Sequence, residues 1–266
     1  MAAPTLVRPR DLARHLRDLG VRRGQTLLVH ASMSSVGWVE GGAAAIVAVL
    51  RGLLGPEGTL VVPTLTTGNS DTSPEYLRAI AGMGPDEVAA YRARMPAFDP
   101  ATTPSTGMGR IAEEVRTCPG AYRSAHPQSS FAAVGRRAGE LMDGHAPDCH
   151  YGPRSPLARL YETGAHVLLL GVGFDRCTGF HLAEYRYTEN PPTRSYRCVV
   201  DFGTGPMWWE YQDVVLDDRD MGRLGADFER TVKIRRGRVG NADTRLFPLA
   251  SAVDYAICWY ASRRKP

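Results

Sequence analysis

Short apolar runs that stop at glycines or small hydroxyl residues set the strongest limit on what this 266-residue chain can form. QTLLVHASM, GTLVVPTLT, SSFAAVG and HVLLLGVG each hold a block of apolar residues without a formal charge, too short for a buried helix. Strands covered on both faces read this way. Helical patterns lie between them. Residues 11–20 put Leu12, His15, Leu16 and Leu19 on one side, and residues 41–55 space Ile46, Val47, Leu50, Leu53 and Leu54 as a helix does. Each of these closes on a glycine. Alternation of this kind predicts an α/β layered domain.

The expected fold is therefore α/β, a single domain over residues 1–266. It has a mixed, largely parallel central sheet flanked by helices, then a C-terminal β-hairpin and helix. Ser73-Pro74-Glu75 opens a helical insertion over 73–95, since serine suits the cap and proline the first helical position. Residues 98–109 form a loop into a helix at about 110–117. Strands at 196–202 and 207–216 are joined by Gly203-Thr204-Gly205-Pro206. An apolar helix lies around 251–260. No repeat, low-complexity tract or linker divides the chain.

Composition excludes several classes. With 43% hydrophobic and 23% charged residues the chain has an ordinary soluble balance. No apolar run approaches the ~20 residues that cross a bilayer, and the start lacks the apolar core of a signal peptide. Cys118, Cys149, Cys177, Cys198 and Cys258 are scattered without C-x-x-C spacing. Reduced thiols and a cytoplasmic location are expected, with neither a disulfide framework nor a metal site. The net charge of +4 comes almost wholly from arginine, lysine standing only at 233 and 265. The one basic run, KIRRGR at 233–238, reads as a solvated surface loop, so neither nucleic acid nor membrane is an expected partner.

Three stretches carry chemical interest. GVGFDRCTGFHLAEYR (171–186) passes from a buried strand to His181 and Glu184. With Thr178 as helix cap, His181 falls in the first turn, where the helix dipole disfavours imidazolium and leaves a neutral base. Glu184, three residues on, shares its face. The plain alternative is a capped helix with two surface residues. LLVHASMSSVGWVEGG (27–42) runs from a strand through small residues into a helix, a turn whose N–H groups suit anionic or carbonyl ligands. It lacks phosphate-loop and dinucleotide fingerprints, and a simple tight turn is the alternative. AYRSAHPQSSFAAVG (121–135) gathers Arg123, Ser124, His126 and Ser129 before a strand, with a structural role for His126 as the plain reading.

Together LLVHASMSSVGWVEGG, GTLVVPT, FDPATTPSTGMG, RSAHPQSSFAAVG, SPLARLYETGAHVLLLGVG and FHLAEYR resemble the aminoglycoside 3-N-acetyltransferase family. They stand in the family's order over residues 27–186, with a looser match at LGADFE (224–229). The [QR]-x-x-G-x-[GA] loop of the commoner acetyl-CoA N-acetyltransferase superfamily is missing. The resemblance implies acetyl transfer from acetyl-CoA to an aminoglycoside amine.

It further implies His181 as general base, paired with an acid on a downstream strand. Asp213 in WEYQD matches best, with Glu210 as the alternative. Glu184 would orient the histidine or face the cationic substrate. His30, Ser32, Ser34, Ser35, Val36, Gly37, Thr103, Ser105 and Arg123 would hold acetyl-CoA; by analogy with other oxyanion holes, N–H groups of the 34–37 turn are the candidates to face the thioester oxygen. Asp71, Glu75, Asp217 and Asp218 would line an acidic cleft. Region 67–95 matches the family least, which leaves the acceptor open. Direct transfer in a ternary complex is expected, with a covalent route through Cys177 as its rival. Other readings are an N-acyltransferase for a different amine and a CoA-binding protein without catalysis. A homodimer is left open.

Overall fold

In the strands Thr26–Ala31, Thr59–Pro63 and His166–Leu170, successive side chains enter two different cores. Leu28, Val61, Val167 and Leu169 pack on one side. Leu27, Val29, Leu60, Val62, Leu168 and Leu170 pack on the other. This is the two-residue period of strands covered on both faces, and it explains their unbroken apolar sequence.

The computed structural model describes residues 6–264, so residues 1–5 and 265–266 of the expected domain lie outside it. Helices Pro9–Leu19, Gly42–Leu54 and Gly109–Arg116 cover the second core through Leu12, Leu16, Ile46, Leu50, Ile111 and Val115. Helices Pro156–Glu162, Met221–Thr231 and Leu249–Arg263 cover the first through Leu157, Leu160, Leu224, Phe228 and Val253.

The central sheet has seven strands, ordered Arg235–Val239, Ala242–Pro248, His166–Leu170, Thr26–Ala31, Thr59–Pro63, Phe131–Gly135 and Tyr122–Arg123. It is mixed, and its parallel share is smaller than expected. Within this sheet, among the described residues, the parallel pairings are those of Thr26–Ala31 with Thr59–Pro63 on one side and His166–Leu170 on the other. The flanking strands enter antiparallel. On one side the cause is a tight turn at Gly240 and Asn241, which folds Arg235–Val239 back on Ala242–Pro248. The basic run read as a loop thus contains an edge strand. Its arginines face water, so it shows no apolar alternation, and their charge guards the open edge.

The hairpin forms as expected from Thr193–Val200 and Met207–Val214, in a sheet of its own. It packs on the insertion, which folds as helices Pro74–Ala79 and Pro85–Ala93. Asn69 donates to the Val199 carbonyl at 2.9 Å and accepts from its N–H at 2.8 Å. The Arg92 guanidinium lies 4.4 Å from the Trp208 ring centre.

Gly171 ends the central strand at φ +69°, and a Cβ there would stand 2.5 Å from Ser35 Cβ. That close approach seats the 32–36 turn against the start of the His181 segment.

Beneath the hairpin lies a buried group of histidines. The rings of His126 and His150 are 4.6 Å apart, and those of His126 and His145 are 4.9 Å apart. His126 Nδ1 accepts from the N–H groups of Gln128 and Ser129, both at 3.1 Å. Protonating that nitrogen would break both bonds. His145 Nε2 donates to the Cys149 and His150 carbonyls at 3.0 and 3.1 Å. Burial, reinforced by neighbouring imidazoles, pushes His126 well below its ordinary value. Burial likewise takes His145 down to about 3.

Replacing Leu169 by alanine, in the middle of the first core, is expected to lower unfolding free energy by about 2–5 kcal/mol in urea titrations. The histidines predict a pH effect of definite sign. Their native values lie below the unfolded one of about 6.5, so their contribution is intact above that pH and is lost as pH falls. Unfolding free energy should drop by about 1.4 kcal/mol per pH unit for each histidine that stays neutral. Urea midpoints from pH 7.5 to 5 check this, and His145→Gln should flatten the slope.

Candidate active site

A cavity of about 500 Å3 opens at the ends of the parallel-paired strands Thr26–Ala31 and Thr59–Pro63, with Val172, just past His166–Leu170, on its lining. Open parallel sheets place ligands at such strand ends. His30, Ser32 and Ser34 line one wall, and Cys177, Thr178 and His181 another. Two stretches far apart in the sequence therefore meet here, as the strand register requires.

His181 starts a single helical turn, His181–Glu184, preceded by the 3-10 turn Thr178–Phe180. Thr178 makes no capping hydrogen bond, and a four-residue turn has little dipole. The expected control by a capped helix is therefore corrected. The ring is instead held by Glu184, whose Oε2 lies 2.7 Å from His181 Nδ1. A carboxylate only accepts, so Nδ1 carries the hydrogen, and in the neutral ring the lone pair is on Nε2. Tyr151 stacks on the ring at 4.8 Å with 8° between planes.

Glu184 is fully buried. Its Oε1 accepts from Arg264 Nη1 at 2.6 Å and from the Asp217 N–H at 2.9 Å. Both oxygens are thus occupied, which is what a buried carboxylate requires.

Asp213 does not pair with His181, which corrects the expected dyad. Its Oδ2 accepts from His150 Nδ1 at 2.8 Å, the His150 N–H at 2.7 Å and the Tyr185 hydroxyl at 2.6 Å. These bonds outweigh burial and hold Asp213 below the usual carboxylate range. The strand simply points it one layer beneath the cavity. Glu210 is exposed near Arg197 and reaches neither histidine.

The residues expected around acetyl-CoA divide. His30, Ser32 and Ser34 line the cavity. Burial, and then repulsion from His181, lower His30 to about 4. Its buried Nε2 has no hydrogen-bond partner among the described residues, an atom left for a ligand or solvent. Ser35 lies against a neighbouring shallow pocket and donates to Ser32 Oγ at 2.9 Å. Val36 is core, and Gly37 lies beyond the turn at φ +101° beside Asn241. Ser35 and Val36 N–H groups already bond the Ser32 carbonyl, so they are not the free donors expected of this turn.

Arg123 lies outside the cavity lining, with each of its three guanidinium nitrogens bonded within the protein. It binds Thr64 O at 2.8 Å, Ser130 Oγ at 3.0 Å and the Thr103 carbonyl, and lies over Phe98. Thr103 is held in that knot, and Ser105 N–H donates to Glu113 at 2.9 Å. Neither lines the cavity; Gly109 and Arg110, at the start of Gly109–Arg116, do.

Among the expected acids, Asp71 bridges Arg92 at 2.9 Å and Arg197 at 3.1 Å, locking insertion to hairpin. Glu75 lies on the insertion surface 3.7 Å from Arg78. Asp217 is taken by Arg219, whose hydrogen bond heads the causes that lower it to about 2. Asp218 does line the cavity, joined by Asp175. Cys177 lines it too, but burial pushes its thiol up to about 12, contrary to the activated thiol of the covalent route. Tyr151, Asp175, Arg110 and Arg264 were not singled out from the sequence. Only Arg110, opening a helix after Gly107-Met108-Gly109, carried a local signal.

Residues 28–261 match the family described as aminoglycoside 3-N-acetyltransferase. Aminoglycoside N(3)-acetyltransferase VIII of Streptomyces fradiae is 38% identical over 273 aligned residues, covering 95% of this chain and 91% of that protein. The crystal structure of YokD from Bacillus subtilis superposes with a TM-score of 0.90 at 35% identity, covering 96% of this chain and 93% of that one. A structure of AAC-IIIb in a binary complex with CoASH has a TM-score of 0.85 at 28% identity, covering 98% and 100%. The chain belongs to the aminoglycoside 3-N-acetyltransferase family.

Proposed function

We propose that this chain, acting as one domain, transfers the acetyl group of acetyl-CoA to the 3-amino group of an aminoglycoside by direct attack in a ternary complex. The observation that carries the reading is a histidine with one nitrogen bound to a buried carboxylate and the other available at the cavity.

His181 Nε2 accepts the proton of the attacking amine, and Glu184 stabilises the imidazolium so formed. The amine nitrogen bonds to the thioester carbonyl carbon, the carbon–sulfur bond breaks, and the CoA sulfur leaves and takes that proton. Met33 and Ser34, lining the cavity at the start of the turn, replace Ser35 and Val36 as candidate donors to the developing oxyanion. His30 offers its ring on the same wall. Arg110 is the cation available to phosphates and Asp218 the acid available to a polyamine, since Asp175 and Arg176 on the same wall pair with each other at 3.2 Å. The fit of CoA to this chain rests on that donor set and on the unpartnered His30 Nε2.

Cys177, with a raised thiol, supports the direct route over a covalent one. Asp213 and His150 serve as scaffold beneath Tyr151.

His181→Ala should lower kcat by about 10²–10⁴-fold while the CoA Kd stays within twofold, read by thiol release and calorimetry. Wild-type turnover in that variant removes the base assignment. Cys177→Ala should stay within about threefold of wild type, because a neutral buried thiol takes no part. Product NMR on aminoglycosides with and without a 3-amino group separates this acceptor from other amines. CoA binding without thiol release would favour the non-catalytic reading.

A further inference from the structure

Arg264 lies just beyond the last helix, 80 residues after the His181 turn, yet it reaches the carboxylate that holds the base. Its Nη1 donates to Glu184 Oε1 at 2.6 Å. Its Nη2 donates to the Asp217 carbonyl at 2.7 Å and to Asp220 Oδ1 at 2.5 Å, and its Nε to Asp220 Oδ2 at 2.9 Å. The guanidinium lies 3.7 Å from the centre of the Tyr260 ring. Each of the three guanidinium nitrogens is engaged, which holds the charge in place.

We propose that Arg264 is a positioning residue for the acyl transfer: it pins Glu184 against His181 Nδ1 and offsets the carboxylate's charge, keeping His181 Nε2 available as proton acceptor near neutral pH. This rests on His181 being the general base. Arg264 touches neither the cavity nor the ring. It acts through Glu184.

Two effects follow from the contacts. One is geometric, because Glu184 Oε2 can aim at His181 only while Oε1 is tethered by Arg264 and the Asp217 N–H. The other is electrostatic. A bare buried carboxylate beside an imidazole would draw a proton onto the pair, and a cation on its far oxygen opposes this. Burial works against the Arg264 charge, but the hydrogen bonds to Asp220 and Glu184 outweigh it and hold the group firmly protonated.

Tyr151 stacks on the His181 ring, and His30 faces it from the strand Thr26–Ala31. Beneath Tyr151 lies His150, whose protonation His181 disfavours. Asp175, Arg176, Cys177 and Asp218 share the cavity wall, with Asp175 and Arg176 paired at 3.2 Å. None of them holds Glu184 Oε1, which is why Arg264 has a distinct effect.

The test is the pH profile of kcat/KM from pH 5.5 to 9, by thiol release with acetyl-CoA and an aminoglycoside bearing a 3-amino group. Arg264→Met should move the acid limb up by about one pH unit, with KM for acetyl-CoA within twofold. Asp220→Asn frees Arg264 of a competing anion and should move the limb the other way. A role in folding alone lowers kcat in both variants without opposed shifts. Arg264→Lys should restore the limb while kcat stays reduced, since an ammonium cannot hold Glu184, Asp220 and the carbonyl as a planar fork does. If thermal melts show Arg264→Met unfolded, the Asn and Lys variants decide. Limbs that stay in place, or move together, overturn the proposal. His181→Ala run alongside keeps the two ideas apart, because activity surviving there removes the base itself, whatever Arg264 does.

Discussion

Burying a carboxylate is tolerable only when donors replace the water it loses, and Glu184 has three: a ring N–H, a guanidinium and a backbone N–H. They come from separate parts of the chain. Glu184 follows the central strand His166–Leu170, Asp217 follows the hairpin, and Arg264 follows the last helix. One charge therefore ties the final third of the sequence to the parallel core. Loss of any one tether leaves a buried oxygen short of a partner, so the position of His181 depends on Arg264 and the Asp217 N–H, and neither residue lines the cavity.

The second carboxylate–imidazole pair shows why similar chemistry need not mean a similar role. Asp213 and His150 are as closely bonded as Glu184 and His181. His150, however, has both ring nitrogens engaged, Nδ1 by Asp213 and Nε2 within reach of Gln128 and Tyr211. It is sealed under Tyr151, whose ring stacks on His181 on the side of the cavity. An imidazole with no nitrogen to offer stiffens the floor. The ring above it keeps a lone pair at an open wall, and accessibility alone separates the two.

How far the sequence could be read follows from the same distinction between local and distant causes. Strands covered on both faces must be apolar throughout, so the runs around Leu28, Val61 and Leu168 announced the centre of the sheet. The strand Arg235–Val239 has one neighbour and faces water, so it carries no such pattern. His181 and Glu184 lie within one turn, and their proximity was legible from spacing. The choice of Asp213 as partner leaned on family pattern across some thirty residues, where strand direction decides the contact. The resemblance implies Arg123 at acetyl-CoA, but carbonyls of the 100–103 loop take its Nη1. Arg264 and Tyr151 reach the site only through tertiary closure, for which no local signal exists.

The cavity's charges bear on how two substrates of opposite sign can share it. Arg110 stands at the opening of Gly109–Arg116, while Asp218 belongs to the segment between the hairpin and Met221–Thr231, close enough to Tyr151 to perturb its hydroxyl. Acid is thus on the side of His181, and a basic group stands where a helix begins. A polyanion set towards Arg110 and a polycation set towards Asp218 would meet with the imidazole between them. The overall charge of +4 says nothing of this, because Asp71, Asp217 and Asp220 are each neutralised by an arginine within contact distance. What governs a ligand is the charge left over after internal pairing, and on this wall Asp218 carries no arginine of its own among the ion pairs of the described residues.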